Sequence, residues 1–220
     1  MRQLVVVSPH LDDAVLGSSA LLDRFGDAIV VTVFAGRPPA ATALPAWDEA
    51  AGFRAGDDVV GARRAEDRAA LDILGATPVW LPFLDAQYGE SPSVETIVPT
   101  LEAALTDAGA ATVSIPLGLF HSDHVLAHAA GLRILRRRRS WRWLAYEEPM
   151  YRRIPGAVDE RLASLASAGV VSTPLGTLPT PLRKEAALAC YGSQLRALGS
   201  AGRPGFADAL APERYWALSA

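Results

Sequence analysis

Leu4-Val5-Val6-Val7-Ser8-Pro9-His10-Leu11-Asp12-Asp13 is an aliphatic, largely β-branched run that breaks at Ser8-Pro9 into a histidine and two carboxylates. Residues 4–7 suit a strand buried on both faces of a parallel sheet. Beyond the break, Val15, Leu16, Ala20 and Leu22 recur at helical spacing, and residues 28–34 read as a second strand. Strand, helix and strand within about 34 residues make a βαβ unit, which implies a right-handed crossover in a doubly wound sheet.

The pattern continues outward. Helices are expected over 59–74 (closed by Gly75), 93–107, 124–138 and 182–198, and strands over 79–84, 111–115, 141–146 and 170–173. This alternation predicts one α/β domain over residues 1–220: Rossmann-like, with a mostly parallel sheet flanked by helices. Residues 35–58 carry Arg37-Pro38-Pro39, Pro45, Gly52 and Gly56 without a period. Loops beyond about 12–15 residues in compact domains are usually lids or disordered segments. A lid is expected here, with a plain surface excursion as the alternative.

Composition narrows the chemistry. A chain of 220 residues buries about 70% of its unfolded surface without help from a disulfide or structural metal. The formal net charge of −3 gives no reason to expect nucleic acid as a partner. A single cysteine, Cys190, excludes an internal disulfide and any zinc site built on several cysteines. The one lysine, Lys184, is not preceded by the glycine of a phosphate-binding loop, and Gly-x-Ser-x-Gly and Gly-x-Gly-x-x-Gly are both absent. No apolar run is long enough to span a membrane and the first residues lack a signal-peptide pattern, so a cytoplasmic protein is expected. The preponderance of arginine and alanine suits a high-GC bacterial coding sequence.

Four histidines, His10, His121, His124 and His128, supply all the imidazole chemistry available. Ligands in open α/β sheets bind beyond the carboxyl ends of strands, which is where His10-Leu11-Asp12-Asp13 falls. His121-Ser122-Asp123-His124 follows the expected strand 111–115 in the same way. Histidines and carboxylates at the lip of a buried strand are costly without a partner. Two histidines with one aspartate form a sound zinc ligand set with open positions.

Pro-His-x-Asp-Asp after the first strand, followed later by His-x-Asp-His, resembles the zinc-dependent deacetylases of the LmbE-like or PIG-L family, the relatives of N-acetylglucosaminyl-phosphatidylinositol de-N-acetylase. The common forms of these motifs are His-Pro-Asp-Asp-Glu and His-Pro-Asp-His. Leu11, Ala14 and Ser122 stand where the family usually has proline, glutamate and proline. Arg63-x-x-Glu66, Leu84-Asp85 and Lys184…Tyr191-Gly192-Ser193-Gln194 extend the resemblance along most of the chain.

The resemblance implies a Zn2+-dependent hydrolase that removes an N-acyl group, acetyl by expectation, from an amino sugar or a small molecule containing one. It assigns His10, Asp13 and His124 as metal ligands and Asp12 as general base. It makes His121 the oxyanion or leaving-group donor, tuned by Asp123, and gives Arg63, Glu66 and Asp85 to the substrate. An amidase for another conjugate or natural-product intermediate, and a metal- or ligand-binding module without turnover, remain as alternatives.

Competing readings stand beside these. Arg63 and Glu66 at i,i+3 also suit a solvated ion pair, and Asp85 a turn. His128 lies one helical turn from His124, but Val125 denies it the His-Glu-x-x-His protease pattern, so a structural role is expected. Arg136 to Arg139, followed by Trp141 and Trp143, read as a helix C-terminus, with a homo-oligomer contact through the tryptophans kept open. Cys190 is expected as a buried, inert thiol.

Overall fold

A computed structural model describes residues 3–39, 42–203 and 205–220. The first half is two interleaved crossovers. β1 (Leu4–Ser8) leads into α1 (Asp13–Phe25) and β2 (Ile29–Thr32). A long connection carrying the short α2 (Ala46–Ala50) then reaches α3 (Val59–Ile73) and β3 (Thr77–Trp80). The chain continues through α4 (Val94–Asp107), β4 (Thr112–Pro116), α5 (Ser122–Arg137) and β5 (Arg142–Tyr146). It ends with α6 (Pro149–Arg152), α7 (Ala157–Ser167), β6 (Val171–Leu178), α8 (Lys184–Ala189), α9 (Gly192–Leu198) and β7 (Glu213–Ser219).

The seven strands lie in the order β3-β2-β1-β4-β5-β7-β6. The first five are parallel, and β7 and β6 close the sheet as an antiparallel pair. The expected Rossmann-like architecture is therefore present. The expected helix 182–198 is two helices, broken at Cys190–Tyr191, and α7 and β7 were not foreseen. Cys190 is half-buried rather than enclosed.

Alternation along β1 explains how the layers form, because successive side chains point to opposite faces. Val5 and Val7 pack with Ile97 and Leu101 of α4 and Ala127 and Ile134 of α5. Leu4 and Val6 pack with Val15 and Leu22 of α1, Leu71 of α3 and Leu188 of α8. The basic and aromatic cluster is absorbed locally: Arg137 and Arg138 pair with Glu102, and Trp143 is buried with its indole N–H on the Arg138 carbonyl.

α1 is broken at Ser18, whose φ of −138° and ψ of 18° are not helical. In an unbroken helix the Ala20 N–H would bond the Leu16 carbonyl. Instead Ala20 donates to Glu213 Oε2 at 2.9 Å, and Lys184 Nζ takes the Leu16 carbonyl at 2.7 Å. One turn earlier, Gly17 lies against the ring of Tyr146, where a Cβ would come within 2.7 Å of Cδ2. That ring is itself fixed by a hydroxyl bond to the Val7 carbonyl. The N-terminal turns of α1, which carry the aspartates, are thereby seated on β1 and β5.

Candidate active site

β1, β4 and β5 are hydrogen-bonded neighbours, so the segments after their carboxyl ends converge. After β1, Ser8 Oγ donates to the His10 carbonyl and accepts the Ala14 N–H, tying down the turn. Asp13 Oδ2 accepts the His10 backbone N–H at 2.9 Å. After β4, His121 caps α5, its Nδ1 accepting the Asp123 N–H at 3.2 Å. Phe120, just before it, adopts a φ of +57° that a non-glycine residue rarely takes.

His10, Asp13 and His124 meet as a cluster whose ligand atoms lie within 4.8 Å of one another. Asp13 Oδ2 is 3.2 Å from His10 Nδ1 and 3.2 Å from His124 Nε2. The far nitrogens are occupied by carboxylates. His10 Nε2 donates to Asp123 Oδ2 at 3.0 Å, and His124 Nδ1 lies 3.2 Å from Glu148 Oε1. Each ring, in the neutral form a metal ligand takes, would turn a lone pair toward Asp13, the tautomer that outer carboxylates impose on metal-ligating histidines. Ligands about 2.0–2.2 Å from a tetrahedral zinc sit roughly 3.3–3.5 Å apart. Asp13 stands at nearly this spacing from both histidine nitrogens, and the donor set of three fits a zinc ion.

Charge agrees with geometry. Burial opposes protonation of both ligand histidines, yet neighbouring carboxylates prevail. His124 is pushed up to about 9 by Asp13 and Glu148, and His10 is raised well above its ordinary value by Asp85, Asp123 and Asp13. Burial likewise opposes ionisation of Asp13, but His124 and His10 hold it well below the usual carboxylate range. The fold concentrates negative charge where a cation belongs. Asp12, beside the ligands, is raised to about 7 by burial and by Asp13. Burial and the two neighbouring histidines lower His121, which leaves it neutral. Because its Nδ1 is an acceptor, its proton is on Nε2.

These groups open into a cavity of about 480 Å3, within the usual range for small-molecule sites. Arg63 and Asp85 line it, as do Trp47, Tyr88, Phe120 and Tyr151. Arg63 is not paired with Glu66. Its guanidinium lies 2.6 Å from the fully buried Asp48, which also accepts the Tyr88 hydroxyl. Glu66 lies away from the cavity lining and holds the Ser193 N–H and hydroxyl instead. Asp85 both faces the cavity and caps a turn through Gln87. The Asp123 carboxylate spends its hydrogen bonds on His10 and the Ala86 N–H; it reaches His121 through charge, and the Asp123 backbone N–H bonds His121 Nδ1. His128 is buried, with Nδ1 on the Pro116 carbonyl, which suits the structural role expected of it. Leu11 lines the cavity and Ala14 lies in the apolar layer beneath it.

The GlcNAc-PI de-N-acetylase family, PIG-L, matches residues 5–135, more than half of the chain. The chain belongs to the PIG-L family. Among solved structures, the A40926 pseudoaglycone deacetylase Dbv21 is 26% identical, with 98% of this chain and 96% of that one covered and a TM-score of 0.76. The zinc-inhibited form of teicoplanin deacetylase Orf2 is 20% identical over 98% of this chain and 97% of its own, with a TM-score of 0.79. GalB, the 4-carboxy-2-hydroxymuconate hydratase from Pseudomonas putida, is 18% identical over 99% and 96%, with a TM-score of 0.64. The last two likenesses establish the PIG-L fold alone. Among curated proteins, none matches the chain. No helix of the described residues is long and apolar enough to cross a membrane.

Sequence reasoning missed Glu148, Tyr151, Asp48 and Trp47. Glu148 had a signal: Glu147-Glu148 follows β5 just as the two histidine clusters follow β1 and β4. Tyr151 lies on α6 with its ring centroid 5.1 Å from that of His124 and 5.5 Å from that of Phe120. Nothing in its local sequence marks that position.

Proposed function

We propose that this PIG-L member is a zinc-dependent N-deacetylase acting on an N-acyl amino sugar carried by a larger small molecule, such as a natural-product intermediate. The observation that carries the reading is the convergence of the His10, Asp13 and His124 lone pairs, with Asp12 and His121 beside them at the floor of one cavity. The 26%-identical deacetylase Dbv21 supports the substrate class. An assignment to the cytoplasm and a homo-oligomer belong to the same reading, the buried Trp143 being taken up within the fold rather than in such a contact.

His10, Asp13 and His124 would hold the metal. A zinc ion bound there supplies Lewis acidity to the amide carbonyl and makes water far more acidic than in bulk. Asp12, titrating near neutrality, takes the proton of the attacking water. His121, with its proton on Nε2, donates to the carbonyl oxygen as negative charge develops, a contribution of about 3–4 kcal/mol per donor in other hydrolases. The departing amine is a poor leaving group until protonated, and Asp12, now carrying a proton, returns it. Arg63 and Asp85 present a donor and an acceptor to sugar hydroxyls. Residues 35–58 act as a lid in this reading, which is supported by the bonds of Trp47 and Asp48 to Gln194 and Arg63; residues 40 and 41 of that segment lie outside those described.

The experiment is a panel of N-acetyl amino sugars, free and glycosidically linked to bulky aglycones, scored by primary-amine release. Turnover by the zinc-loaded protein, abolished by chelation, supports the reading. Absence of amine release together with hydration of a 2-hydroxymuconate would replace it with the hydratase chemistry named for GalB.

A further inference from the structure

Resting on the metal-site reading above, we infer that Glu148 is a positioning residue of the metal centre, orienting His124 and holding in place the turn that delivers His121. Glu148 is 2% exposed. Its Oε1 accepts the backbone N–H groups of Gly118 and Leu119 at 2.8 and 2.9 Å and lies 3.2 Å from His124 Nδ1. One oxygen therefore ties together β5, the loop after β4 and the metal-facing ring on α5.

Successive backbone N–H groups form a concave anion site, and here the turn is specialised for it. Gly118 has a φ of +81°, and a Cβ there would come within 2.5 Å of the His128 Cβ. The turn runs straight on through Leu119 and the strained Phe120 to His121. Holding its N–H groups fixes where His121 begins α5. Glu148 Oε2 finds no hydrogen-bond donor among the described residues. A buried carboxylate with an unmet oxygen is expensive. His124 is its only ion-pair partner among the described residues, and a ligating His124 is neutral. A metal held through that ring would supply charge to balance Glu148, beside the guanidinium of Arg161, which interacts with Glu148 and bonds the Gly118 carbonyl. Asp123 stands in the same relation to His10, so each ligand histidine has its own orienting carboxylate.

The test measures zinc affinity by competition with a chromophoric chelator, and melting temperature in chelator, for the wild type, E148Q, E148A and H124A. Outer partners of metal-ligating histidines typically contribute 10–100-fold in metal affinity. E148Q keeps the shape and an acceptor for the turn but loses the charge. Its expected result is about 10-fold weaker zinc binding with a chelated-form melting temperature near wild type. E148A should weaken binding by about 100-fold. Wild-type affinity in both variants, while H124A loses zinc, would overturn the inference and leave the metal site standing. A melting temperature lowered in chelator with unchanged affinity would also overturn it, by reducing Glu148 to a structural clamp. If H124A itself binds zinc like the wild type, the metal-site reading fails and this inference with it. E148D, which keeps the charge but shortens the reach, replaces E148A should the latter not fold, with weakened affinity again expected.

Discussion

Lys184 Nζ lies 2.6 Å from Glu213 Oε1, both side chains enclosed, and together they replace the backbone hydrogen bond that α1 lacks between Leu16 and Ala20. Removing one partner of a buried pair strands the other charge, at about 3–5 kcal/mol. Lys184→Met should therefore lose stability of this order in urea denaturation, and Glu213→Gln less, since it keeps an acceptor for the ammonium. The double variant should be less destabilised than the sum of the two, with a coupling of about 0.5–3 kcal/mol. Strict additivity would show that the pair does not act as a unit.

Asp12→Asn should retain near-stoichiometric zinc while kcat falls by about 10²–10⁴-fold, the usual contribution of a positioned acid–base group. Metal analysis on the same preparation as the amine-release assay checks both halves. Loss of metal along with activity would instead make Asp12 a ligand.

Stripping the metal should lower the melting temperature of the wild type and leave that of a His10→Ala/His124→Ala double variant unchanged. A ligand that binds only the native state at 100 times its Kd adds about 2.7 kcal/mol. Calorimetry with and without added zinc reads this difference.

Burial, and to a lesser degree Arg161, lower His128 to about 4, against about 6.5 in the unfolded chain. Unfolding therefore takes up a proton between these values. His128 contributes stability that is full above pH 6.5 and is lost as the pH falls toward 4, on the order of 3 kcal/mol in all. His128→Gln, measured in chelator by denaturant titration at several pH values, should flatten this part of the profile. An unchanged slope would show that His128 is protonated in the fold.

Gly17→Ala should cost about 1–3 kcal/mol, the range for overpacking a filled interior, because the new methyl meets the enclosed ring of Tyr146. Thermal denaturation measures it. A neutral substitution would mean that the ring has room to move.

The parallel half of the fold was legible because β1 is buried on both faces and residues 4–7 read as an unbroken apolar run, and because Gly75 and Gly109 punctuate the helices. β6 and β7 were harder. β6 is an exposed edge strand containing Pro174 and Gly176, so neither alternation nor a continuous run marks its full length. The break at Cys190–Tyr191 was hidden because apolar spacing runs on through both α8 and α9. In the site, the histidines were legible from their strand-end positions. Glu66 was not, because whether an i,i+3 pair closes on itself depends on what else comes near. Ser193 approaches Glu66 from 127 positions away, and Asp48 claims Arg63.

Sequestering Lys184 has a practical corollary. The only ε-amino group in the chain is enclosed and already bonded, so the folded protein offers amine-selective reagents no lysine. Fluorogenic detection of a newly freed sugar amine therefore carries no lysine background, and the α-amino group is the one amine of the chain left to subtract. Immobilisation or cross-linking through lysine, conversely, should fail unless the protein unfolds, which makes dye uptake at Lys184 a direct reporter of opening around α1.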